Sequence, residues 1–251
     1  MINIVLPIAG RGSRFAEAGF ELPKPLILVH EKPMIEVVVN NIRPLCDHRF
    51  IFVALKEHLD HLGMEETLNR IAPGCIIIPV TEVTEGAACT VLLAREFIDN
   101  NDQLMMANSD QYVDIDINDY LSLMDDKKVD GLIMTMWADD PKWSFVGFNK
   151  EGQVNNVVEK EVISNEATVG IYNFQKGSDF VNAADQMIAK NLRVKNEFYV
   201  APAYNEMIND QANITIFNVG EEYNGMYGMG IPLDLEKFVK NPVSQKILNE
   251  K

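Results

Sequence analysis

Cationic side chains surround a glycine turn near the start of the chain. The turn is Ala9-Gly10-Arg11-Gly12-Ser13-Arg14, directly after an apolar run, and Lys24 follows between two prolines. Two glycines two residues apart let the backbone turn sharply and bring N–H groups close to an anion. The prolines stiffen the segment that carries Lys24. This pattern favours a polyphosphate ligand, and a solvated glycine turn with surface charges remains the alternative.

The charge balance of the whole chain makes this local cluster informative. The 251 residues include 22 Lys and Arg against 37 Asp and Glu, a net charge of −15. Such a surface repels nucleic acids and anionic membranes, so neither is expected as a partner. A Rossmann dinucleotide loop is disfavoured because Phe15 stands at the third glycine of G-x-G-x-x-G, and a Walker A loop is absent from the sequence.

A carboxylate suited to a metal follows a later apolar run. Asp110 comes just after residues 103–107, and Mg²⁺ prefers few carboxylates together with phosphate oxygens and water. Asp110 is therefore the candidate magnesium ligand, with a plain strand-end aspartate as the alternative. Asp114 and Asp116 are nearby, but their alternation with apolar residues is more typical of one solvated strand face.

The elements that must position these residues alternate through the first half. Apolar runs predict strands at 2–8, 50–55, 75–80 and 103–107. Amphipathic runs predict helices at 33–43, 57–70, 87–98 and 118–124. This alternation indicates an α/β fold with a mostly parallel sheet that is covered on both faces. Ligands of such sheets bind at the carboxyl ends of the strands, where the glycine turn and Asp110 lie.

The second half has a more mixed pattern. It predicts strands at 131–136, 145–149, 154–159, 167–174 and 214–219, and helices at 178–190, 198–209 and 232–239. Gly152 between two of these strands indicates an antiparallel hairpin. The length fits one domain over 1–251, with a front half to about residue 130 and a back half over 131–251.

Several motifs in order resemble one enzyme family. They are LPIAGRGSRF with LPKPL, then TEGAA at 84–88, NSD at 108–110, VEKE at 158–161, TVGIY at 168–172 and GIPLDL at 230–235. The set is similar to the nucleotidyltransferases that join a nucleoside triphosphate (NTP) to a sugar 1-phosphate, in a short form without a β-helix tail. The resemblance implies the three-layer, Rossmann-like fold of the nucleotide-diphospho-sugar transferase type, with a mixed, mostly parallel central sheet.

The resemblance also implies roles for individual residues. Arg14, Lys24 and Asp110 would be catalytic, with Mg²⁺ held by Asp110. The implied nucleotide-binding residues are Ala9, Gly10, Arg11, Gly12, Ser13, Arg14, Lys24, Gly86, Ala87 and Ser109. The implied acceptor-binding residues are Glu159, Lys160, Gly170 and Lys195. A cross-strand salt bridge is the alternative for Lys160, and a helix-terminal charge cluster is the alternative for Lys195.

The chain departs from the family pattern at two positions. Gly228 stands where many members carry an aspartate that is a second metal ligand. A glycine cannot coordinate magnesium, so Asp234 or Asp116 would replace it, one metal would suffice, or activity would be reduced or altered. Ser144 stands where many members place a glycine against the sugar, so Ser144 and Trp143 would reshape that pocket.

These observations predict transfer of a nucleotidyl group from an NTP to a phosphorylated acceptor, a sugar 1-phosphate first, with release of pyrophosphate. A cytidylyltransferase for a small non-sugar phosphate, a nucleotide-sugar glycosyltransferase and a catalytically impaired nucleotide-binding protein are the alternatives. The three cysteines are too few and too scattered for a disulfide framework, so we expect Cys46, Cys75 and Cys89 to be reduced core residues of a cytoplasmic protein. The base, the acceptor and any homo-oligomeric state stay open.

Overall fold

A computed structural model describes residues 1–249. The strands are β1 (Ile2–Ile8), β2 (Leu28–Val29), β3 (Lys32–Pro33), β4 (His48–Leu55), β5 (Ile76–Val80), β6 (Gln103–Ala107), β7 (Gln111–Val113), β8 (Gly131–Trp137), β9 (Ser144–Phe148), β10 (Val154–Glu159), β11 (Glu166–Phe174), β12 (Ile214–Glu222) and β13 (Gly225–Gly228). The helices are α1 (Ser13–Glu17), α2 (Met34–Asn41), α3 (Lys56–His61), α4 (Met64–Ile71), α5 (Ala87–Leu92), α6 (Arg95–Ile98), α7 (Ile117–Lys127), α8 (Gly177–Ala189), α9 (Ala203–Asn209), α10 (Pro232–Lys240) and α11 (Lys246–Asn249).

A mixed, mostly parallel central sheet runs through both halves of the chain. Its order is β5-β4-β1-β6-β11-β8-β12-β13-β7, and β9 pairs with both β10 and β11. Strands β5, β4, β1 and β6 are all parallel, whereas β11 runs antiparallel to β6 and β8. The predicted hairpin is confirmed, because β9 and β10 pair antiparallel.

Alternating apolar side chains bury both faces of this sheet. In β1, Ile4 and Leu6 belong to one core cluster, together with residues of α2 and α10. Val5, between them, belongs to a second cluster with residues of α5 and α8. Successive side chains of a strand point to opposite faces, so a continuous apolar run needs a layer of helices on each side. The result is the three-layer α/β fold that the sequence predicts.

Three of the predicted helices differ from the structure by more than a few residues at their ends. The helix expected over 57–70 is two helices, because Gly63 adopts a left-handed backbone (φ +64°) that ends α3 before α4 begins. The helix expected over 87–98 is likewise divided into α5 and α6. The helix expected over 198–209 begins only at Ala203, because residues 198–202 form an irregular segment.

Asp114 and Asp116 have structural partners outside the predicted metal site. Asp114 forms an ion pair with Lys246. The carboxylate of Asp116 accepts hydrogen bonds from the backbone and side-chain nitrogens of Asn118, and so caps α7. The backbone hydrogen bond is the main reason that the pKa of Asp116 is lowered. Of the two aspartates proposed as substitutes for the missing ligand at Gly228, Asp116 is therefore disfavoured.

The expectation of three core cysteines is wrong for Cys46, whose side chain is exposed. Cys75 and Cys89 are half-buried, and burial raises the pKa of both thiols. All three lack a disulfide partner among residues 1–249. Within the same residues, each helix is too short or too polar to cross a membrane.

Replacing Asp116 with Ala should lower the urea midpoint of unfolding at neutral pH, because α7 loses its cap. Since the folded-state pKa of Asp116 is lowered, the contribution is present above the ordinary aspartate pKa. The difference from wild type should fade as the pH falls through the lowered pKa. Urea titrations between neutral and acidic pH measure this. An unchanged midpoint at neutral pH would contradict the capping role.

Candidate active site

The predicted cationic turn connects β1 to α1 and packs directly against the segment that carries Lys24. A Cβ added to Gly12 would lie 3.2 Å from Cβ of Lys24, so a glycine at this position permits the close approach. Gly10 and Ser13 are exposed on the turn, and Arg14 reaches into the two cavities described below. The turn thus presents its backbone and one arginine at the carboxyl edge of the sheet.

An ion pair joins this turn region to the end of β6. Nζ of Lys24 donates to Oδ2 of Asp110 at 2.8 Å, and each side chain is 24% exposed. The backbone of Gly230 also lies close to this carboxylate, because a Cβ on Gly230 would lie 2.7 Å from the same oxygen. Two of the three predicted catalytic residues are therefore in contact, and Arg14 lines a cavity that also includes Asp110.

Two adjoining cavities of 680 and 390 Å³ form one cleft at this edge. Their shared lining is Arg14, Asn108, Lys142, Trp143 and Lys160. The larger cavity extends to Asp110, Lys195 and Asp234, and the smaller extends to Ala87, Glu159 and Gly170. The cleft brings the front-half cation Arg14 and the back-half cation Lys160 to one space.

Lys160 lies at the end of β10 on a left-handed backbone, with φ of +61°. Its ammonium donates to Oη of Tyr199 and lies 3.4 Å from Oε1 of Glu159. Partial burial lowers the pKa of Lys160, but the Tyr199 hydrogen bond and the Glu159 charge outweigh it, so the pKa is raised overall. Lys160 is therefore a fixed positive charge in the cleft. Sequence reasoning missed Tyr199, because only the tertiary fold brings it to Lys160.

Glu159 is a buried carboxylate that lines the smaller cavity. Its side chain is 6% exposed, and its Oε2 accepts a hydrogen bond from Ser144. One carboxylate oxygen thus faces Ser144 while the other faces Lys160. Ser144 therefore affects the pocket through Glu159, because its hydroxyl occupies part of the hydrogen-bonding capacity of that carboxylate.

Lys195 reaches the larger cavity from a tight turn. Lys195 and Asn196 have φ of +49° and +66°, and Val194 and Glu197 bridge across them. Left-handed backbone in non-glycine residues is uncommon and clusters at ligand-binding segments. The lysine is exposed, and it lines the same cavity as Asp110 and Asp234.

Some predicted site residues lie away from the cleft, and one glycine that lines it is explained by packing. Ala9 and Ser109 are buried, and neither lines the two cavities. Arg11 faces a separate cavity beside His58 and His61. Gly170 lines the smaller cavity, yet a Cβ there would lie 2.1 Å from Nδ2 of Asn108, so its lack of a side chain makes room for that amide.

Backbone geometry and close packing explain why position 86 is a glycine, and the sequence does not reveal either. Its backbone, at φ +134°, lies in a region that only glycine adopts readily. A Cβ would lie 2.4 Å from the carbonyl oxygen of Phe198, and the chain hydrogen-bonds with Phe198 on both sides of Gly86. Ala87, the next residue, does line the smaller cavity.

Two donors at the cleft have no protein partner. Nε2 of Gln111 and Nε1 of Trp143 are both buried without a hydrogen bond among residues 1–249. Both residues line the larger cavity. Burying an unpaired donor is costly, so the arrangement suits a ligand with hydrogen-bond acceptors. Gln111 was not predicted, although it directly follows Asp110 in the sequence.

The donor set of the cleft fits a magnesium ion bound together with phosphate oxygens. Asp110 and Asp234 both line the larger cavity. Gly230 lies beside the carboxylate of Asp110, and Gly228 lies beside that of Asp234. Residues 1–249 hold no cluster of three or more metal-ligating side chains. A site with one or two carboxylates suits Mg²⁺, which takes its remaining ligands from phosphate and water.

A family model and curated relatives match most of this chain. The family model described as nucleotidyl transferase matches residues 3–219. A relative from Xenopus tropicalis, the catalytic subunit beta of mannose-1-phosphate guanylyltransferase, is 25% identical over 181 residues, which are 69% of this chain and 49% of the relative. The chain thus spans about half the length of that curated relative.

Solved structures share the whole fold. A nucleoside-diphosphate-sugar pyrophosphorylase from Vibrio cholerae superposes with a TM-score of 0.80 at 25% identity, covering 94% of this chain and 99% of that one. The inositol-1-phosphate CTP transferase of T. maritima superposes with a TM-score of 0.73 at 14% identity, covering 98% and 95%. The second likeness concerns the fold alone.

Replacing Gly86 with Ala should destabilise the protein by about 1–3 kcal/mol, because overpacking against Phe198 forces the backbone to move. A urea titration measures the change. Gly152→Ala is a control for left-handed glycines, since a Cβ at Gly152 meets nothing within 4 Å. Wild-type stability of Gly86→Ala with loss of NTP binding would instead indicate a direct nucleotide contact.

Proposed function

The chain belongs to the nucleotidyl transferase family, and on this premise we propose that it transfers a nucleoside monophosphate from an NTP to a phosphorylated acceptor. The observation that carries the proposal is the convergence of Arg14, Asp110 and Lys160 on one cleft, with Lys24 paired to Asp110. A reaction between two phosphorylated substrates needs cations from both sides of the reacting phosphorus. The cleft supplies them in a protein whose net charge is −15.

The front half would hold the triphosphate. Backbone N–H groups of Gly10, Gly12 and Ser13 would contact its oxygens at the turn. Arg14 and Lys24 would neutralise the negative charge that spreads over the α-phosphate and the leaving pyrophosphate. In phosphoryl-type transfer the protein mainly positions groups and stabilises this charge. Ala87, which lines the smaller cavity, would border the nucleoside.

Asp110 would hold a magnesium ion between its carboxylate and the phosphate oxygens. Bound there, Mg²⁺ would supply further charge neutralisation at the reacting phosphate. Lys24 would then exchange its contact with Asp110 for one with a phosphate oxygen. Its amine can make this move because it is a single point charge on a flexible stem.

The back half would hold the acceptor. Lys160 and Lys195 would bind the acceptor phosphate, Glu159 would accept a hydroxyl hydrogen bond, and the backbone at Gly170 would border the acceptor. An oxygen of the acceptor phosphate attacks the α-phosphorus, the bond between the α-phosphorus and the bridging oxygen breaks, and pyrophosphate leaves with that oxygen. The acceptor oxygen is already anionic, so no protein base is required.

The acceptor class is a sugar 1-phosphate, by analogy with the guanylyltransferase and the pyrophosphorylase described above. One observation favours the alternative acceptor, a small non-sugar phosphate, as in the cytidylyltransferase hypothesis. Ser144 occupies Oε2 of Glu159, which leaves that carboxylate less capacity for sugar hydroxyls. Since the sheet is continuous across residue 130, we propose that both halves work as one domain. An NTP-consuming reaction of this kind is expected in the cytoplasm.

The proposal is tested by pyrophosphate release from each of the four NTPs with a panel of sugar 1-phosphates and small phosphorylated alcohols. Pyrophosphate formed only when an NTP and an acceptor are both present supports the proposal. NTP binding without release would indicate a catalytically impaired nucleotide-binding protein. Transfer from a preformed nucleotide-sugar, with no use of NTP, would indicate a glycosyltransferase.

Replacing Lys24 with Ala should lower kcat by about a hundredfold or more, because a well-placed charge stabilises the transition state. The pair with Asp110 is partly exposed, so the melting temperature should change little. Steady-state kinetics and a thermal scan measure the two effects. Lys32→Ala is a matched control, since Lys32 lies in β3 outside the cleft. Turnover of Lys24→Ala at the wild-type rate would refute the assignment.

Replacing Lys160 with Met should raise the acceptor KM strongly, because the acceptor phosphate loses a cation in both the ground and transition states. NTP affinity measured alone by calorimetry should stay nearly unchanged. The companion variant Tyr199→Phe keeps the ring and removes the hydroxyl that holds the ammonium, so its KM should rise less. Loss of NTP affinity in Lys160→Met with an unchanged acceptor KM would reverse the two half-sites.

A further inference from the structure

We propose that Asp234 is the second magnesium-binding carboxylate of this cleft and takes the place of the side chain that Gly228 lacks. The inference rests on the proposed function and concerns a residue to which the family pattern gives no such role. Asp234 lies in the first turn of α10, and Gly228 is the last residue of β13. The two residues belong to different elements that meet at the larger cavity.

The carboxylate of Asp234 lies where a side chain at position 228 would reach. A Cβ added to Gly228 would have one neighbour within 4 Å, Oδ2 of Asp234 at 3.8 Å. The carboxylate oxygens of an aspartate lie two bonds beyond its Cβ. An aspartate at 228 would therefore extend its oxygens into the space next to this atom. The chain thus reaches the same region of the cavity from α10 rather than from β13.

The first carboxylate lies beside the same short segment. Two residues further on, a Cβ added to Gly230 would lie 2.7 Å from Oδ2 of Asp110. Each glycine therefore lies against one carboxylate, and both carboxylates line the larger cavity. Asp110 and Asp234 would hold the metal together, and the metal would supply charge neutralisation at the reacting phosphate. Two carboxylates with phosphate oxygens and water are a donor set that Mg²⁺ accepts.

Tyr223 orients Asp234 through one of its two carboxylate oxygens. Oη of Tyr223 donates to Oδ1 of Asp234 at 2.8 Å, and Nζ of Lys237 lies 3.3 Å from the same hydroxyl. The backbone of Tyr223 is left-handed (φ +67°), which is rare for a bulky residue. A hydrogen bond that fixes a ligating carboxylate is a common companion of a metal ligand. Tyr223 is thus a positioning residue.

A purely structural role for Asp234 makes a different prediction. An acid in the first turn of a helix stabilises that helix through the helix dipole. Its loss would lower the stability of α10 without changing metal affinity. The two roles separate in a measurement of metal binding that does not depend on turnover.

The test uses Mn²⁺ alone as the probe, with binding to the full chain followed by loss of the free-ion signal in electron paramagnetic resonance. Asp234→Asn should weaken Mn²⁺ binding at least about tenfold, and Tyr223→Phe should weaken it severalfold. Asp110→Asn is the positive control. Glu222→Gln is the matched control, since it removes a carboxylate from the same cavity that is already paired with Lys142. Urea midpoints confirm that each variant is folded.

The decisive variant adds Gly228→Asp to Asp234→Asn. Position 228 has room for a side chain, so the double variant should recover Mn²⁺ affinity. Wild-type affinity in Asp234→Asn, no Mn²⁺ binding by the wild type, or no recovery in the double variant would overturn the inference. If the wild type releases pyrophosphate and Asp234→Asn binds Mn²⁺ as tightly as the wild type does, this inference alone is refuted. Mn²⁺ binding through Asp234 without pyrophosphate release from any NTP would refute the proposed function alone.

Discussion

The ion pair between Lys24 and Asp110 is the interaction on which the site depends. It joins residues 86 positions apart, one after the glycine turn and one at the end of β6, at a distance of 2.8 Å. In a chain with 37 acidic residues, a carboxylate at the mouth of a phosphate site would repel its ligand unless a cation balanced it. Lys24 pairs with that carboxylate, and under the proposed function it would move to a phosphate oxygen when the NTP binds.

The second cation, Lys160, depends on the continuity of the sheet. Strand β11 pairs with β6 of the front half and with β9 of the back half, and β9 in turn carries β10 and Lys160. The relative position of the two cationic groups is therefore fixed by backbone hydrogen bonds rather than by a flexible linker. Rigid placement of charges before the substrates arrive is what makes electrostatic stabilisation effective in catalysis.

The sequence predicts the parts of the site that arise from local pattern. Apolar runs locate β1 and β6, so the sequence alone places the turn at Gly12 and the carboxylate of Asp110 at one sheet edge. Contacts between distant segments could not be predicted in this way. The hydroxyl of Tyr199 on Lys160, the carbonyl of Phe198 against Gly86 and the carboxylate of Asp234 beside Gly228 all depend on tertiary packing. Asp116 shows a different difficulty. An aspartate can be a helix cap or a metal ligand, so its residue type alone does not distinguish the two roles.

A crystal structure of the chain with its NTP and Mn²⁺ tests the account most directly, since anomalous scattering locates the metal. The account predicts that Mn²⁺ lies on Asp110, that Nζ of Lys24 has moved from Asp110 to a phosphate oxygen, and that the α-phosphate faces Lys160 across the cleft. A triphosphate bound elsewhere, with Lys24 still paired to Asp110, would contradict it.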